Sequence, residues 1–151
     1  MKIRLAKVND VKDMHELINI HAQKKEMLAR PLSELYENIQ EFVIAEYKNK
    51  VIACCALHVT WEDLAEVKAL AVNEKYQKKG IGSRLVYQCH KNAIRLGVKK
   101  VFALTFKPKF FIKLGYKKIS KSKLPHKVWG ECIRCPSFPD CGEVSLMRML
   151  R

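Results

Sequence analysis

Residues 77–84 read QKKGIGSR. Two glycines separated by a single residue let a backbone turn tightly and come close to a ligand. The residues that follow open an apolar helical pattern, and the first turn of a helix presents N–H groups with no intrahelical acceptor, a natural seat for an anion. The chemistry predicted is a phosphate grip made by the amides around Ile81, Gly82, Ser83 and Arg84, with Gln77 and Gly80 leading into it and Lys78, Lys79 and Arg84 charging the rim. A second cluster is Cys132, Cys135 and Cys141, spaced C-x2-C-x5-C. Zinc would need a fourth ligand, such as His126, and there is no second C-x-x-C. The expectation is a loop of reduced thiols holding no metal, with zinc binding or a redox-sensitive C-x-x-C as the other readings.

The elements that must position these groups follow from periodicity. Residues 2–6 read as a short strand. Asn9 or Asp10 can cap a helix carrying Val11, Met14, Leu17, Ile18 and Ile20 to Ala22, ending near Lys25. Pro31 and Ser33 restart a shorter helix with Leu35, Ile39 and Phe42 along one side. FVIAEY and VIACCALHV read as strands joined by a hairpin turn at KNK. After the turn-like WEDLA, the segment EVKALAV alternates, with Glu66, Lys68, Leu70 and Val72 on one face and Val67, Ala69 and Ala71 on the other. The glycine stretch then feeds the helix SRLVYQCHKNAIRLG, closed by Gly97. The strand VFALTF, a short helix KFFIKLG stopped by Gly115, a strand YKKIS, a proline-containing loop and a last strand near EVSLMRML complete the chain. The reading is one mixed α/β sheet domain over residues 1–151, without internal repeats.

Composition agrees with a single globular domain, since 151 residues with 48% hydrophobic content supply a real core. No window approaches the roughly 18 uninterrupted apolar residues a membrane span needs, and MKIRLAKVND turns charged too early for an export signal. The cytoplasm is the expected compartment, with Cys54, Cys55 and Cys89 as buried thiols. Lys and Arg number 29 against 15 Asp and Glu, for a net charge of +14. That charge would attract RNA, a membrane surface or a phosphorylated cofactor, and it argues against a basic protein tail as substrate. The lysines are scattered in pairs, which equally fits a solvated surface. RNA readers stack bases on exposed aromatics, whereas Phe102, Phe106, Phe110 and Phe111 fall in patterns that bury them, so nucleic acid is disfavoured.

The series AEVKALAV, YQKKGIGSRLV, VFALTF and FFIKLGY resembles the GNAT superfamily of N-acetyltransferases. Its central motif, Q/R-x-x-G-x-G/A after a strand and before a helix, is matched by Gln77-Lys78-Lys79-Gly80-Ile81-Gly82. The resemblance implies an α/β (α+β) fold with a mixed, mostly antiparallel central sheet, splayed strands and flanking helices. It also implies acetyl-CoA as co-substrate. In the family the pantetheine arm pairs with the strand matching EVKALAV, so Leu70, Ala71 and Val72 should line it, with Thr105 on the splayed partner strand.

Acetyl transfer needs a neutral amine, a polarised carbonyl and a route for the thiolate to gain a proton. Glu66 stands where many members of the superfamily place a glutamate and is the candidate base; a salt bridge to Lys68 is the alternative. The usual general-acid tyrosine is replaced by Phe111, and Tyr116 matches a packing ring. An acyl-CoA thiolate is a good leaving group, so the replacement is compatible with catalysis.

ENIQEFVIAE, CCALHVTWEDLAEVKALAV and VFALTFKPKFFIKLGYKKI resemble more narrowly the short, stand-alone N-acetylglutamate synthase type, which also carries phenylalanine in place of that tyrosine. The implied reaction is acetylation of L-glutamate, the first step of arginine biosynthesis. A basic protein suits two anionic substrates. By position, Arg30, His58, Lys68, Lys127 and Ser145 are the residues expected to hold the acceptor, an acidic amino acid. Edge-strand homodimers are common in this fold, and the sequence leaves the oligomeric state open.

Overall fold

The sheet is built from strands whose neighbours are mostly close in sequence. The structure, a computed structural model, describes residues 1–124 and 143–150. Its strands are β1 (Lys2–Leu5), β2 (Phe42–Tyr47), β3 (Lys50–Trp61), β4 (Leu64–Val72), β5 (Lys100–Thr105), β6 (Lys117–Lys118) and β7 (Val144–Met149). They form one sheet in the order β1-β2-β3-β4-β5-β7-β6. Every neighbouring pair is antiparallel except β4 and β5, which run parallel because α3 (Ile81–Arg95) carries the chain across between them. The expected mixed, mostly antiparallel α/β sheet is the fold observed. Among the described residues, no helix is long and apolar enough to cross a membrane.

Helices cover both faces. On one face α1 (Val11–Gln23) buries Val11, Met14, Leu17 and Ile18, at the spacing of a single helical stripe, against Ile44, Cys54 and Ala56. The short α2 (Leu32–Glu37) is anchored by Leu35, fully buried in the same cluster. Removing such a side chain costs about 2–5 kcal/mol, more than a six-residue helix can recover from propensity. On the opposite face α3 packs Ile81, Leu85, Val86, Cys89 and Ala93 against Val43, Ala53, Cys55 and Val67, joined by Phe111 of α4 (Pro108–Lys113) and by Tyr116. Cys54, Cys55 and Cys89 are fully buried, as their apolar surroundings suggested.

Gly97 ends α3 as expected. Its φ of +87° lets Val98 N–H reach the Ala93 carbonyl and Gly97 N–H the Ile94 carbonyl. The hairpin at Lys48 and Asn49 has both residues at positive φ, the conformation of a tight two-residue turn.

Four expectations are corrected. The second helix stops at Glu37, and Phe42 opens β2 instead of lining that helix. α3 begins two residues earlier than Ser83, at Ile81 with Gly80 as its cap. Phe106 and Phe110 are only half-buried, while Phe102 and Phe111 lie in the core. Strict alternation along β4 fails at Ala69, whose φ is +55°. Opposite it the register passes from Cys54↔Ala71 to Ala56↔Lys68, so β4 holds an extra residue in a bulge. Ala65 and Val67 pack towards α3; past the bulge Leu70 and Val72 face that side too, and Ala69 and Ala71 pack towards α1. Leu70 and Val72 therefore do not share a face with Glu66 and Lys68. The expectations for Lys127, His126, Cys132, Cys135 and Cys141 lie outside the described residues.

Candidate active site

β4 and β5 pair over only three positions, Leu64↔Lys100, Ala65↔Val101 and Glu66↔Phe102. Beyond Glu66 the two strands part, each keeping its other neighbour, β3 or β7. The gap widens into a cleft of about 610 Å³. One wall is β4 from Glu66 to Val72; the other is formed by Leu104, Thr105, Phe106 and Phe110.

At one end of the cleft lies the glycine loop, with Gln77, Lys78, Gly80, Ile81, Gly82 and Ser83 lining it. Gly80 sits at φ +80°, and a Cβ there would meet nothing within 4 Å, so glycine is required by conformation and not by space. Gly82 has the opposite reason. A Cβ on it would lie 3.4 Å from the Phe110 ring and 3.6 Å from Val72. The Arg84 amide closes the first helical bond, to the Gly80 carbonyl at 3.1 Å. The amides of Ile81, Gly82 and Ser83 are thus the ones that open the helix. Lys79 and Arg84 are exposed and do not line the cleft; the Lys79 ammonium lies 5.7 Å above the Tyr76 ring.

Polar side chains reach into the mouth. The Val72 carbonyl accepts from His21 Nε2 at 2.7 Å and from Gln77 Nε2 at 3.0 Å. The other ring nitrogen of His21 faces Glu26 Oε1 at 3.2 Å, and Glu26 Oε2 accepts from Lys107 Nζ at 2.7 Å. Lys107 and His21 together hold the Glu26 carboxyl below its ordinary range. This chain of contacts runs from the end of β4, through the end of α1, to the segment after β5. None of its members was singled out from sequence except Gln77 and Val72. The available signal was His21, a histidine at a stripe position of an apolar helix face.

Where the strands part lies Glu66, 5% exposed and lining the cleft. Lys68 lines the cleft beside it. Arg30, in the connection before α2, also lines the cleft. Its Nη1 contacts Glu34 Oε2 at 3.4 Å, and its buried Nε has no partner among the described residues. Ser145 on β7 is 3% exposed and pairs with Leu104 of β5. Its Oγ is buried without a partner among the described residues, so it does not face solvent, yet it does not line the cleft. Glu143, not foreseen from sequence, lines the cleft; burial pushes its carboxyl up, against the lowering effect of Lys121 and Arg30.

His58 stands outside the cleft. It is the cross-strand partner of Glu66, and its Nδ1 lies 2.6 Å from Glu41 Oε2. Tyr116 is closed to proton donation. It is 2% exposed, its hydroxyl is bonded to His90 Nε2 at 2.7 Å, and burial raises its pKa far above normal.

Parted parallel strands, a left-handed glycine cap and a helix start at the cleft make a site for an extended ligand with an anionic end, the arrangement that the resemblance to acyl-CoA-dependent transferases implies. Residues 9–116 match the Acetyltransferase (GNAT) family, and the chain belongs to that family. It is an acetyl-CoA-dependent N-acetyltransferase. The chain is similar to an "Uncharacterized N-acetyltransferase" of Chlorobaculum tepidum, 36% identical over 98% of this chain and 96% of that protein. It is also similar to the amino-acid acetyltransferase of Mycobacterium tuberculosis, 36% identical over 87% of this chain and 77% of that protein. Among solved structures, Rv2747 of Mycobacterium tuberculosis in complex with CoA and NLQ matches with a TM-score of 0.87 at 30% identity, over the whole of both chains. N-acetylglutamate synthase of Neisseria gonorrhoeae, complexed with coenzyme A and N-acetyl-glutamate, matches with a TM-score of 0.92 at 26% identity, over 99% of this chain and 35% of that one.

The residues present fit the co-substrate. The first-turn amides of α3 face a cleft that Gly82 leaves open, as a pyrophosphate requires. Both lone pairs of the Val72 carbonyl are taken by His21 and Gln77, and Leu70 and Ala71 line the cleft along which an extended amide arm would lie. Bound acetyl-CoA supplies the thioester to be attacked.

Proposed function

We propose that the protein transfers the acetyl group of acetyl-CoA to the α-amine of an amino acid, L-glutamate foremost, forming N-acetyl-L-glutamate in the cytoplasm as an entry to arginine biosynthesis. The carrying observation is Arg30. A guanidinium in the cleft wall whose buried Nε has no partner among the described residues suits a carboxylate ligand, which it would meet with a charge-assisted hydrogen bond. Ser145 Oγ, buried and unpartnered among the described residues, supports a second contact if the acceptor draws it in. Lys68 adds positive charge at the cleft. The relatives named as amino-acid acetyltransferases, and the CoA and N-acetyl-glutamate held by the Neisseria gonorrhoeae synthase, favour the same acceptor class.

In this reading Glu66 accepts the proton of the acceptor ammonium, directly or through water, and the freed amine attacks the thioester carbonyl. A main-chain N–H on the open edge of β4 stabilises the oxyanion. As the tetrahedral adduct collapses, its C–S bond breaks and CoA departs as thiolate; the nitrogen gives up its second proton to solvent and the thiolate takes one from solvent, because Tyr116 is locked to His90 and Phe111 has none to give.

Product mass spectrometry after incubation with acetyl-CoA and a mixture of amino acids and polyamines tests the acceptor. Acetylated glutamate should dominate; acetylation of polyamines alone would refute the amino-acid reading. Glu66→Gln should lower kcat by roughly 10²–10⁴-fold at neutral pH, the usual worth of a general base, while CoA binding is retained. A fully active variant removes Glu66 from the mechanism.

A further inference from the structure

His58 and Glu66 face one another across the β3–β4 ladder, so their side chains rise from the same side of the sheet. Glu66 lines the cleft and His58 does not. The imidazole is held from behind by Glu41, in the turn before β2, through a bond of 2.6 Å to Nδ1. Glu41 itself is fixed: its Oε1 is buried and has no other partner among the described residues, so the carboxylate spends its acceptor capacity on this ring. A carboxylate, an imidazole and the candidate base thus stand in series across two strands, leading away from the substrate.

We infer that the Glu41–His58 pair is a positioning device for Glu66: the imidazolium, held beside the base but out of contact with substrate, keeps Glu66 in its carboxylate form. The inference rests on the reading of Glu66 as the base. The groups facing His58 are Glu41, Glu66 and Lys68; the two carboxylates favour the charged ring and the Lys68 ammonium opposes it. The hydrogen bond to Glu41 is the largest influence, and the ring's pKa is raised above the ordinary histidine value. The ring therefore keeps its charge to a higher pH than an ordinary histidine does, and loses it as pH rises through its raised pKa. A cation across the ladder from a carboxyl group favours its carboxylate form, and His58 holds that cross-strand place opposite Glu66.

The test is a carbon-detected NMR titration of the Glu66 carboxyl in the full-length protein, as wild type, His58→Gln and Glu41→Gln. Replacing His58 should raise the Glu66 midpoint by roughly one pH unit. Glu41→Gln should leave the Glu66 acid midpoint close to wild type and lower the midpoint of the His58 ring. His58→Lys, which restores a positive charge, should bring Glu66 back towards its wild-type midpoint; it also covers the case in which the glutamine variant folds poorly. In steady state with acetyl-CoA and L-glutamate, His58→Gln should move the acid limb of the kcat–pH profile up by about the same unit, lowering kcat on that limb with the KM for glutamate unchanged. An unmoved Glu66 midpoint overturns the inference. So does a raised KM at unchanged kcat, which would make His58 a direct acceptor contact. Failure of the underlying reading is distinguishable: if Glu66→Gln is fully active, Glu66 is not the base, whatever its midpoint does.

Discussion

Gly80 and Gly82 look equivalent in the sequence, and alanine at each should act in opposite ways. At Gly80 the added methyl meets no atom within 4 Å, but φ is +80°. An L-residue held in the left-handed region costs about 1–2 kcal/mol. At roughly 2–4 °C per kcal/mol for a chain of this size, Gly80→Ala should melt several degrees below wild type. At Gly82, inside α3 and without positive φ, alanine gains up to about 1 kcal/mol of helix propensity. The methyl would touch Phe110 at 3.4 Å and Val72 at 3.6 Å, contacts a half-buried ring can absorb by a small rotation. Stability should hold or rise. Both of those neighbours line the cleft, however, so the methyl occupies the approach to the first-turn amides. Loss of one hydrogen bond to a charged group costs about 1.5–3 kcal/mol, equivalent to roughly 10–100-fold in affinity. The assays are thermal unfolding without ligand and calorimetric titration with CoA. If Gly82→Ala bound CoA as wild type does, or melted below Gly80→Ala, the assignment of one glycine to conformation and the other to close approach would be wrong.

Two further outcomes are expected. Burial holds His90 near a pKa of about 4 against an ordinary 6.5, so the unfolded chain takes up a proton that the folded chain refuses. Its contribution to stability is complete above pH 6.5 and declines as pH falls towards 4, by about 2 kcal/mol at pH 5. Denaturant midpoints at pH 7.5 and pH 5 should therefore differ less in His90→Gln than in wild type. Cys54, whose thiol burial pushes up to about 12, and the Cys55 and Cys89 thiols, 3.8 Å apart in the core, should resist iodoacetamide in the native protein and react once it is unfolded. Peptide mass mapping of alkylation at these three positions checks this.

The order of strands and helices could be read because each element carries its own period, and the glycines at 80, 97 and 115 mark ends where positive φ is needed. The glycine loop and the helix start behind it could be read for the same reason, being local and made of main chain. What escaped was set by contacts between distant residues. Ala69 gives no sign that it adopts a left-handed conformation; the bulge exists because β4 must pair with β3 while turning Leu70 and Val72 towards α3. His21 meets the Val72 carbonyl across 51 positions and Lys107 meets Glu26 across 81, and no spacing rule reaches that far. His58 was visible as a histidine at a strand end, but Glu41, which holds its ring, lies in a turn whose place against β3 only the fold determines.

The parting of β4 and β5 has a mechanical side. With Glu66 and Phe102 as the pivot, the six residues to Val72 form an arm of roughly 20 Å at strand rise. The chain through His21, Glu26 and Lys107 ties the arms near their tips, where a tether has the greatest leverage on the angle between them. A 2 Å lengthening of that tether corresponds to an opening of only about 6° over such an arm. Its outermost link is an ion pair whose lysine side chain is 58% exposed, a contact worth about 0–1 kcal/mol and screened by salt. The jaw is thus stiff at its root and lightly latched at its rim, so ionic strength should change how readily it opens for a long, flexible ligand more than it changes the geometry around Glu66.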